Sequence, residues 1–121
     1  MVVLDTNVII DFLEGKENVV AAVSKYLPAE LSMTFVNKYE LLKYKQRERL
    51  EEAIENLFVY HSNETALKAS ANAYKQLKAR GKMLSDSDLL IFGVCVANNE
   101  VLLTQDKAFE NLHNESIVVI E

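Results

Sequence analysis

A chain of 121 residues, half of them hydrophobic, with three glycines and one proline, suits one domain with a real core and leaves little room for linkers or disorder. Its longest apolar stretch, LLIFGVCVA at 89–97, is too short to span a bilayer, and no basic region precedes the first apolar run, as a signal peptide would require. The net charge of −5 argues mildly against nucleic acid as a partner, although an acidic total can conceal a carboxylate cluster that a cation neutralises.

The predicted elements alternate along the chain. VVL at 2–4 is short, β-branched and apolar, and reads as a buried strand. Thr6 or Asn7 is placed to cap a helix over NVIIDFL, and Gly15 to end it. Val19, Val20, Val23, Tyr26 and Leu27 recur at helical spacing within 17–27, and Pro28 closes that segment. LSMTFV at 31–36 is a second strand. NKYELLKYKQRERL then turns helical, with Asn37 in the capping position, and LEEAIENL at 50–57 is a further short helix. FVYH at 58–61 is a third strand. A long helix over 63–80 carries a stripe at Leu67, Ser70/Ala71, Tyr74 and Leu77 and stops at Gly81. SDSDLLIFGVCVANN starts a helix at Ser85 that is apolar on nearly every face and therefore buried. VLLT at 101–104 is a fourth strand, QDKAFENL a short helical turn, and SIVVI at 116–120 a fifth strand. Continuously apolar strands alternating with helices belong to a parallel sheet covered on both faces, an α/β/α arrangement over a single domain spanning 1–121. The lone Cys95 can form no internal disulfide, which fits a reducing cytoplasm, and its apolar neighbours mark it as a buried small hydrophobe.

Open parallel sheets bind ligands beyond the carboxyl ends of their strands. This arrangement sends Asp5, after the first strand, to that edge, with Glu40 in the first turn after the second. Asp86 and Asp88 open the buried helix that runs back toward the same edge, and Asp106 follows the fourth strand. Each has an ordinary use: Asp5 in the turn, Glu40 in a capping box with Asn37, Asp88 at a helix dipole, Asp106 as a cap. Gathered together, they repel by several kcal/mol at intermediate dielectric, and no Lys or Arg adjoins Asp5, Asp86 or Asp88, though Lys107 follows Asp106. A divalent cation supplies the missing charge, and all-oxygen ligands select Mg²⁺ or Mn²⁺. Zinc fits poorly, since His61, His113 and Cys95 have no ligand spacing. No nucleophile elbow or Gly-rich phosphate loop is present.

The segments VVLDTNVIIDFL, NKYELL and SDSDLLIFGVCVANNEVLLTQDKAF, in that order, resemble the PIN-domain ribonucleases, and among them the VapC-type toxins of bacterial and archaeal toxin–antitoxin pairs. The likeness covers almost the whole chain. It implies a five-stranded parallel sheet flanked by helices and cleavage of single-stranded or structured RNA with Mg²⁺ or Mn²⁺. By motif position it makes Asp5, Glu40, Asp88 and Asp106 the acidic quartet, with Asn7 and Thr104 as supporting polar residues. Two departures stand out: Phe92 and Gly93 replace the small residues usual after D-x-x-I, and Asn37 replaces a Thr or Ser three residues before the glutamate. Asp86 is an additional acid whose place is a solvated surface or a tuning position beside the metal.

In the implied chemistry, Asp5, Asp88 and Asp106 hold one or two ions directly or through water. Glu40 completes the shell or accepts a water proton, and Asn7 and Thr104 orient these groups. RNA would approach along Lys38, Lys43, Lys45, Arg47 and Arg49, or along Lys75, Lys78, Arg80 and Lys82, unless these are merely solvated helix faces. The resemblance also implies a small DNA-binding antitoxin (VapB-type) whose tail covers the cleft, and commonly a homodimer. For the latter, the helices at 8–13 and 17–27 could supply a surface, or equally the core. A dehalogenase-type phosphatase is disfavoured because Asn7 stands where its second Asp belongs, and a receiver domain because FVYHS lacks the phosphorylated Asp. A non-toxin PIN nuclease of RNA processing and a non-catalytic PIN scaffold are the alternatives.

Overall fold

The computed structural model describes residues 1–44 and 48–121. Among these, the strands are β1 (Val2–Leu4), β2 (Leu31–Thr34), β3 (Phe58–Tyr60), β4 (Val101–Thr104) and β5 (Ile117–Val119), all parallel, in the order β3-β2-β1-β4-β5. The strands are three or four residues long; β1 is buried throughout and β2 and β4 nearly so, whereas the edge strands β3 and β5 are partly exposed. The crossovers are carried by α1 (Thr6–Leu13), α2 (Glu17–Val23), α3 (Phe35–Leu42), α4 (Glu48–Asn56), α5 (Glu64–Ala79) and α6 (Asp86–Ala97), with tight 3₁₀ turns at Pro28–Glu30 and Lys107–Leu112.

The period of two along each strand sorts the core into two layers. Val3 and Leu102 face Leu77, Leu89, Phe92 and Phe109. Val2, Leu4 and Leu103 face Val8, Ile9, Val19, Val23 and Met33. Helix α3 sits at the end of the sheet and reaches both layers, with Val36 in the first and Leu41 in the second. The fold is the expected three-layer α/β/α sandwich with a five-stranded parallel sheet. No helix among the described residues is long and apolar enough to cross a membrane.

Several boundaries differ from the sequence expectation for identifiable reasons. Strand β2 stops at Thr34, and Phe35 and Val36 already belong to α3. Thr34 is the cap: its N–H donates to Asn37 Oδ1 at 2.9 Å, while the Asn37 N–H donates to Thr34 Oγ1 at 3.4 Å. Asn37 thus lies inside the helix as the reciprocal half of a capping box. In the same way Asp5, not Thr6 or Asn7, caps α1. Helix α2 ends at Val23 rather than running to Leu27. The expected helix from Asn37 ends at Leu42; residues 45–47 of it lie outside the described residues, and α4 takes up again at 48. Gly15 and Gly81 follow α1 and α5 at φ of +79° and +70°, the left-handed stop that glycine adopts without strain.

The expected stripe on α5 holds at Ser70 and Leu77, but Ala66 and Ala73 take the places of Leu67 and Tyr74. Its buried face is Ala66, Ser70, Ala73 and Leu77, while Leu67 and Tyr74 are about half exposed. Small residues face α6 so that the two helices approach closely, and Ser70 bridges them by donating to the Leu89 carbonyl at 2.7 Å. At the crossing α6 presents Gly93, where an added Cβ would overlap Ser70 Oγ and the Ala66 carbonyl oxygen. An open helical site gains from Gly→Ala, by roughly 0.5–1 kcal/mol. Here the sign should invert: Gly93→Ala is expected to lose about 1–3 kcal/mol in urea unfolding, because the Ala66 carbonyl is backbone and cannot swing aside.

Candidate functional site

Asp5 joins β1 to α1 and serves both. Its N–H still belongs to the sheet, donating to the Leu103 carbonyl at 3.0 Å. Its Oδ1 caps α1 by accepting the Thr6 N–H at 2.9 Å, and its Oδ2 accepts the Thr104 hydroxyl at 2.7 Å from the end of β4. Asn37 reaches across from α3, Nδ2 to Oδ1 at 3.5 Å. The cap and the candidate ligand are one carboxylate.

A chain of buried polar groups extends this arrangement. Asn37 Nδ2 donates to Thr6 Oγ1 at 3.1 Å, and the Thr6 hydroxyl donates onward to Glu40 Oε1 at 2.7 Å. Asn37 is itself oriented by the Thr34 hydroxyl, which donates to its Oδ1 at 2.8 Å. Thr6, Thr34, Asn37 and Thr104 are all buried, and among the described residues no buried side-chain nitrogen or oxygen lacks a partner. A fully satisfied network of this kind fixes one orientation for each member. On the other side, the Asp106 N–H donates to Thr104 Oγ1 at 3.1 Å, while Asp106 Oδ1 caps the following turn through the Ala108 N–H at 2.9 Å. Asp88 stands in the first turn of α6, its N–H bound by the capping Ser85 Oγ at 3.1 Å.

These elements bring Asp5, Glu40, Asp88 and Asp106 together along one open cleft of about 780 Å³. It lies past the carboxyl ends of β1 and β4, where the strand order reverses direction. Thr104 lies beneath it, bound to Asp5; Asn7 is exposed on its wall and accepts Gln105 Nε2 through its backbone carbonyl at 3.4 Å. Asp86 is not part of it and lines a separate groove between α5 and α6. Cys95 is buried in α6, where burial above all pushes its thiol up, and His61 and His113 are exposed and do not line the cleft.

Of the basic residues, Lys43 lines the cleft. Lys45 and Arg47, and the side chain of Arg49, lie outside the described residues. Lys75 lines the Asp86 groove, Lys78 lies over the Tyr74 ring and Arg80 binds the Asn111 carbonyl at 2.7 Å, so none of these three lines the acidic cleft. Sequence reading placed Thr6 and Asn37 as helix caps and missed them as positioning groups. It also missed Gln105, whose Nε2 donates to Asp11 Oδ2 at 2.8 Å and whose Oε1 accepts Lys16 Nζ at 3.1 Å, tying the Asp106 loop to the far end of α1.

Among the described residues no ion pair joins any of the four cleft carboxylates to a Lys or Arg. Elsewhere the buried Glu100 carboxylate is paired with the Met1 ammonium at 3.2 Å and accepts the Tyr60 hydroxyl at 2.6 Å. Burial raises the Asp5 carboxyl above its usual range; hydrogen bonds from Thr104 and Thr6 oppose this, and the charges of Glu40 and Asp106 add to it. Asp88 is pushed up to about 6, first by burial and then by the charges of Asp5, Asp106 and Glu40. Among the described residues no three acidic, His or Cys side chains stand close enough to enclose an ion alone. Mg²⁺ keeps several waters and is commonly bound through one or two carboxylates, so the hard-oxygen donor set fits such an ion and not a closed zinc cage.

A family model described as the PIN domain matches residues 2–114. Solved structures of the same fold include VapBC-1 from nontypeable Haemophilus influenzae, with TM-score 0.78 at 26% identity over 98% of each chain. A toxin–antitoxin complex from Klebsiella pneumoniae has TM-score 0.78 at 18% identity, over 98% of this chain and 97% of that one. DNA-bound VapBC from Salmonella typhimurium has TM-score 0.78 at 21% identity over 98% of each. No curated protein matches the chain in sequence.

The raised Asp88 carboxyl has a consequence for stability. A group that holds its proton more tightly in the folded state contributes most below its unfolded value, 3.8, and that contribution is lost as pH rises through about 6. At neutral pH without metal, the ionised Asp88 therefore opposes folding. Asp88→Asn is expected to raise the metal-free Tm by a few degrees near pH 7.5 and to change it less near pH 4, as read by calorimetry at the two pH values.

Proposed function

The chain belongs to the PIN-domain family, and from that premise we propose that it is a metal-dependent endoribonuclease, the toxin of a VapBC-type pair. The observation that carries the reading is the convergence of Asp5, Glu40, Asp88 and Asp106 on one cleft, with no ion pair from a Lys or Arg to any of the four among the described residues. Such a grouping opposes folding unless a cation is bound, and the family is one of divalent-metal nucleases.

Asp5, Asp88 and Asp106 would hold Mg²⁺ or Mn²⁺, directly or through water. A bound ion there would lower the pKa of a water and stabilise charge on the scissile phosphate. The chain's own part is orientation. Thr104 and the Thr6 N–H hold the two oxygens of Asp5 in place, and the Thr6 hydroxyl holds Oε1 of Glu40. Glu40 then completes the ion's shell or takes the proton of the attacking water through a fixed carboxylate. Asn7, exposed on the wall, is available to the substrate or to water beside the ion.

The toxin assignment is supported by the structures of like fold, which are described as toxin–antitoxin complexes. It implies a VapB-type antitoxin partner and action in the cytoplasm, in keeping with one buried thiol and no disulfide. A homodimer, also implied by the family, would use surfaces other than the inner faces of α1 and α2, because Val8, Ile9, Val19 and Val23 lie in this chain's own core.

EDTA is expected to abolish cleavage of a mixed RNA pool and added Mn²⁺ to restore it. Asp5→Asn should lower the rate by more than about 100-fold, whereas Thr104→Val, which removes only an orienting hydroxyl, should cost about 10- to 100-fold. Undiminished cleavage by Asp5→Asn would place the chemistry elsewhere. For the biological role, growth arrest on expression, relieved by the product of a neighbouring short reading frame, is the expected outcome; a neutral effect on growth would favour RNA processing.

A further inference from the structure

An acidic cleft has to admit a phosphodiester, and its wall is not uniformly acidic. Where α3 ends, the rim carries Lys43 and Tyr44 beside the carboxylates. The Lys43 ammonium lies over the Tyr39 ring, 5.0 Å from its centroid, so that aromatic face holds the cation at the rim. Tyr44 lines the same rim and is 47% exposed, so part of its ring is open to solvent. A positive charge next to an open aromatic ring is the combination that grips single-stranded nucleic acid: the ammonium takes a phosphate and the ring stacks a base.

We propose that Lys43 and Tyr44 form a nucleobase subsite, in which Tyr44 stacks an unpaired base next to the scissile phosphate and Lys43 binds a flanking phosphate. The proposal rests on the ribonuclease reading and adds to it the residues that would hold the strand: a base inside a duplex already stacks on its neighbours and cannot also lie on Tyr44. The molecule supplies its own control. Tyr74 pairs with Lys78 at 5.8 Å in the same manner and is 46% exposed, yet it lines the α5–α6 groove and not the acidic cleft.

The test is fluorescence anisotropy with the full chain in an Asp5→Asn background, which blocks cleavage. The probes are a labelled oligoadenylate, the same strand annealed to oligouridine, and the same backbone carrying abasic sites. The single strand is expected to bind more tightly than either other probe. Tyr44→Ala should weaken single-strand binding by roughly 5- to 100-fold and remove the preference over the abasic backbone, while Tyr44→Trp retains both. Lys43→Gln should weaken all three probes alike and reduce the salt slope by about one, and Tyr74→Ala should change nothing. If Tyr44→Ala retains wild-type affinity and preference, the subsite proposal falls, and so it does if Tyr74→Ala has the same effect as Tyr44→Ala. Cleavage by the unmutated chain with Mn²⁺, run in parallel, separates the two readings. Cleavage without a Tyr44 effect overturns the subsite alone; an unmutated chain that neither binds nor cuts RNA overturns both.

Discussion

The hydrogen bond from the Thr104 hydroxyl to Asp5 Oδ2 is the hinge on which the site turns. It crosses from β4 to the end of β1, the two central strands between which the sheet order reverses, and it holds one carboxylate at the floor of a cleft that three others enter. Like charges this close do not settle together unaided. What keeps them there is a set of short polar side chains, each rigid and each satisfied. Thr104 and the Thr6 N–H hold Asp5; Thr6 in turn holds Glu40; Asn37 orients Thr6; Thr34 orients Asn37. The apolar core then fixes the elements that carry these groups. Burial, with the neighbouring charges, raises the Asp5 and Asp88 carboxyls; on the proposed reading a divalent ion would relieve that cost, so that the two groups that oppose folding would also equip the site.

Topology made the convergence cheap in sequence terms. Three of the four acids sit at the start of an element, where the chain has to place a polar group in any case. Asp5 caps α1, Asp106 caps the turn after β4, and Asp88 lies in the first turn of α6 near its positive end. The helix dipole and the exposed N–H groups partly offset a carboxylate in those places. Glu40 is the exception: it lies in the second half of α3 and is held instead by the Thr6 hydroxyl. Three element starts and one helix face therefore deliver four acids to one cleft.

That logic explains what could be read in advance. The alternation of buried strands and helices was evident from hydrophobic period, because a parallel sheet needs apolar strands and amphipathic or buried crossovers. The acids were evident because they interrupt apolar runs at element ends. The local geometry was harder. Asn37 looks like a cap and Thr34 like part of an apolar strand, yet Thr34 is the cap and Asn37 lies a turn inside α3, where it is buried against Asp5 and Thr6. On α5, spacing alone permits two neighbouring faces. The larger residues Leu67 and Tyr74 suggest one, but close packing against Gly93 selects the smaller Ala66, Ser70 and Ala73. Hydrophobicity points to the wrong face there because helix–helix approach is limited by size, not by polarity. Gln105 and its latch to Asp11 and Lys16 have no local signature, since the partners are about ninety residues apart.

A net charge of −5 in a chain of the nuclease kind becomes intelligible once charge is located rather than summed. The carboxylates of the proposed site face one cleft, where a bound divalent ion would change the local sign of the field. Lys43, held by Tyr39, stands at the rim of that cleft, while Lys75, Lys78 and Arg80 engage other parts of the surface. A uniformly basic surface would attract any polyanion and slow its release. On the proposed reading, an ion bound at the acidic floor and Lys43 at its rim would draw phosphate to the point where it is cut, and the half-exposed Tyr44 would favour a strand whose bases are free to stack. The acidity of the rest of the molecule would then be part of the selectivity, because it would oppose a polyanion elsewhere while the cleft stabilises one along its backbone and through its bases together.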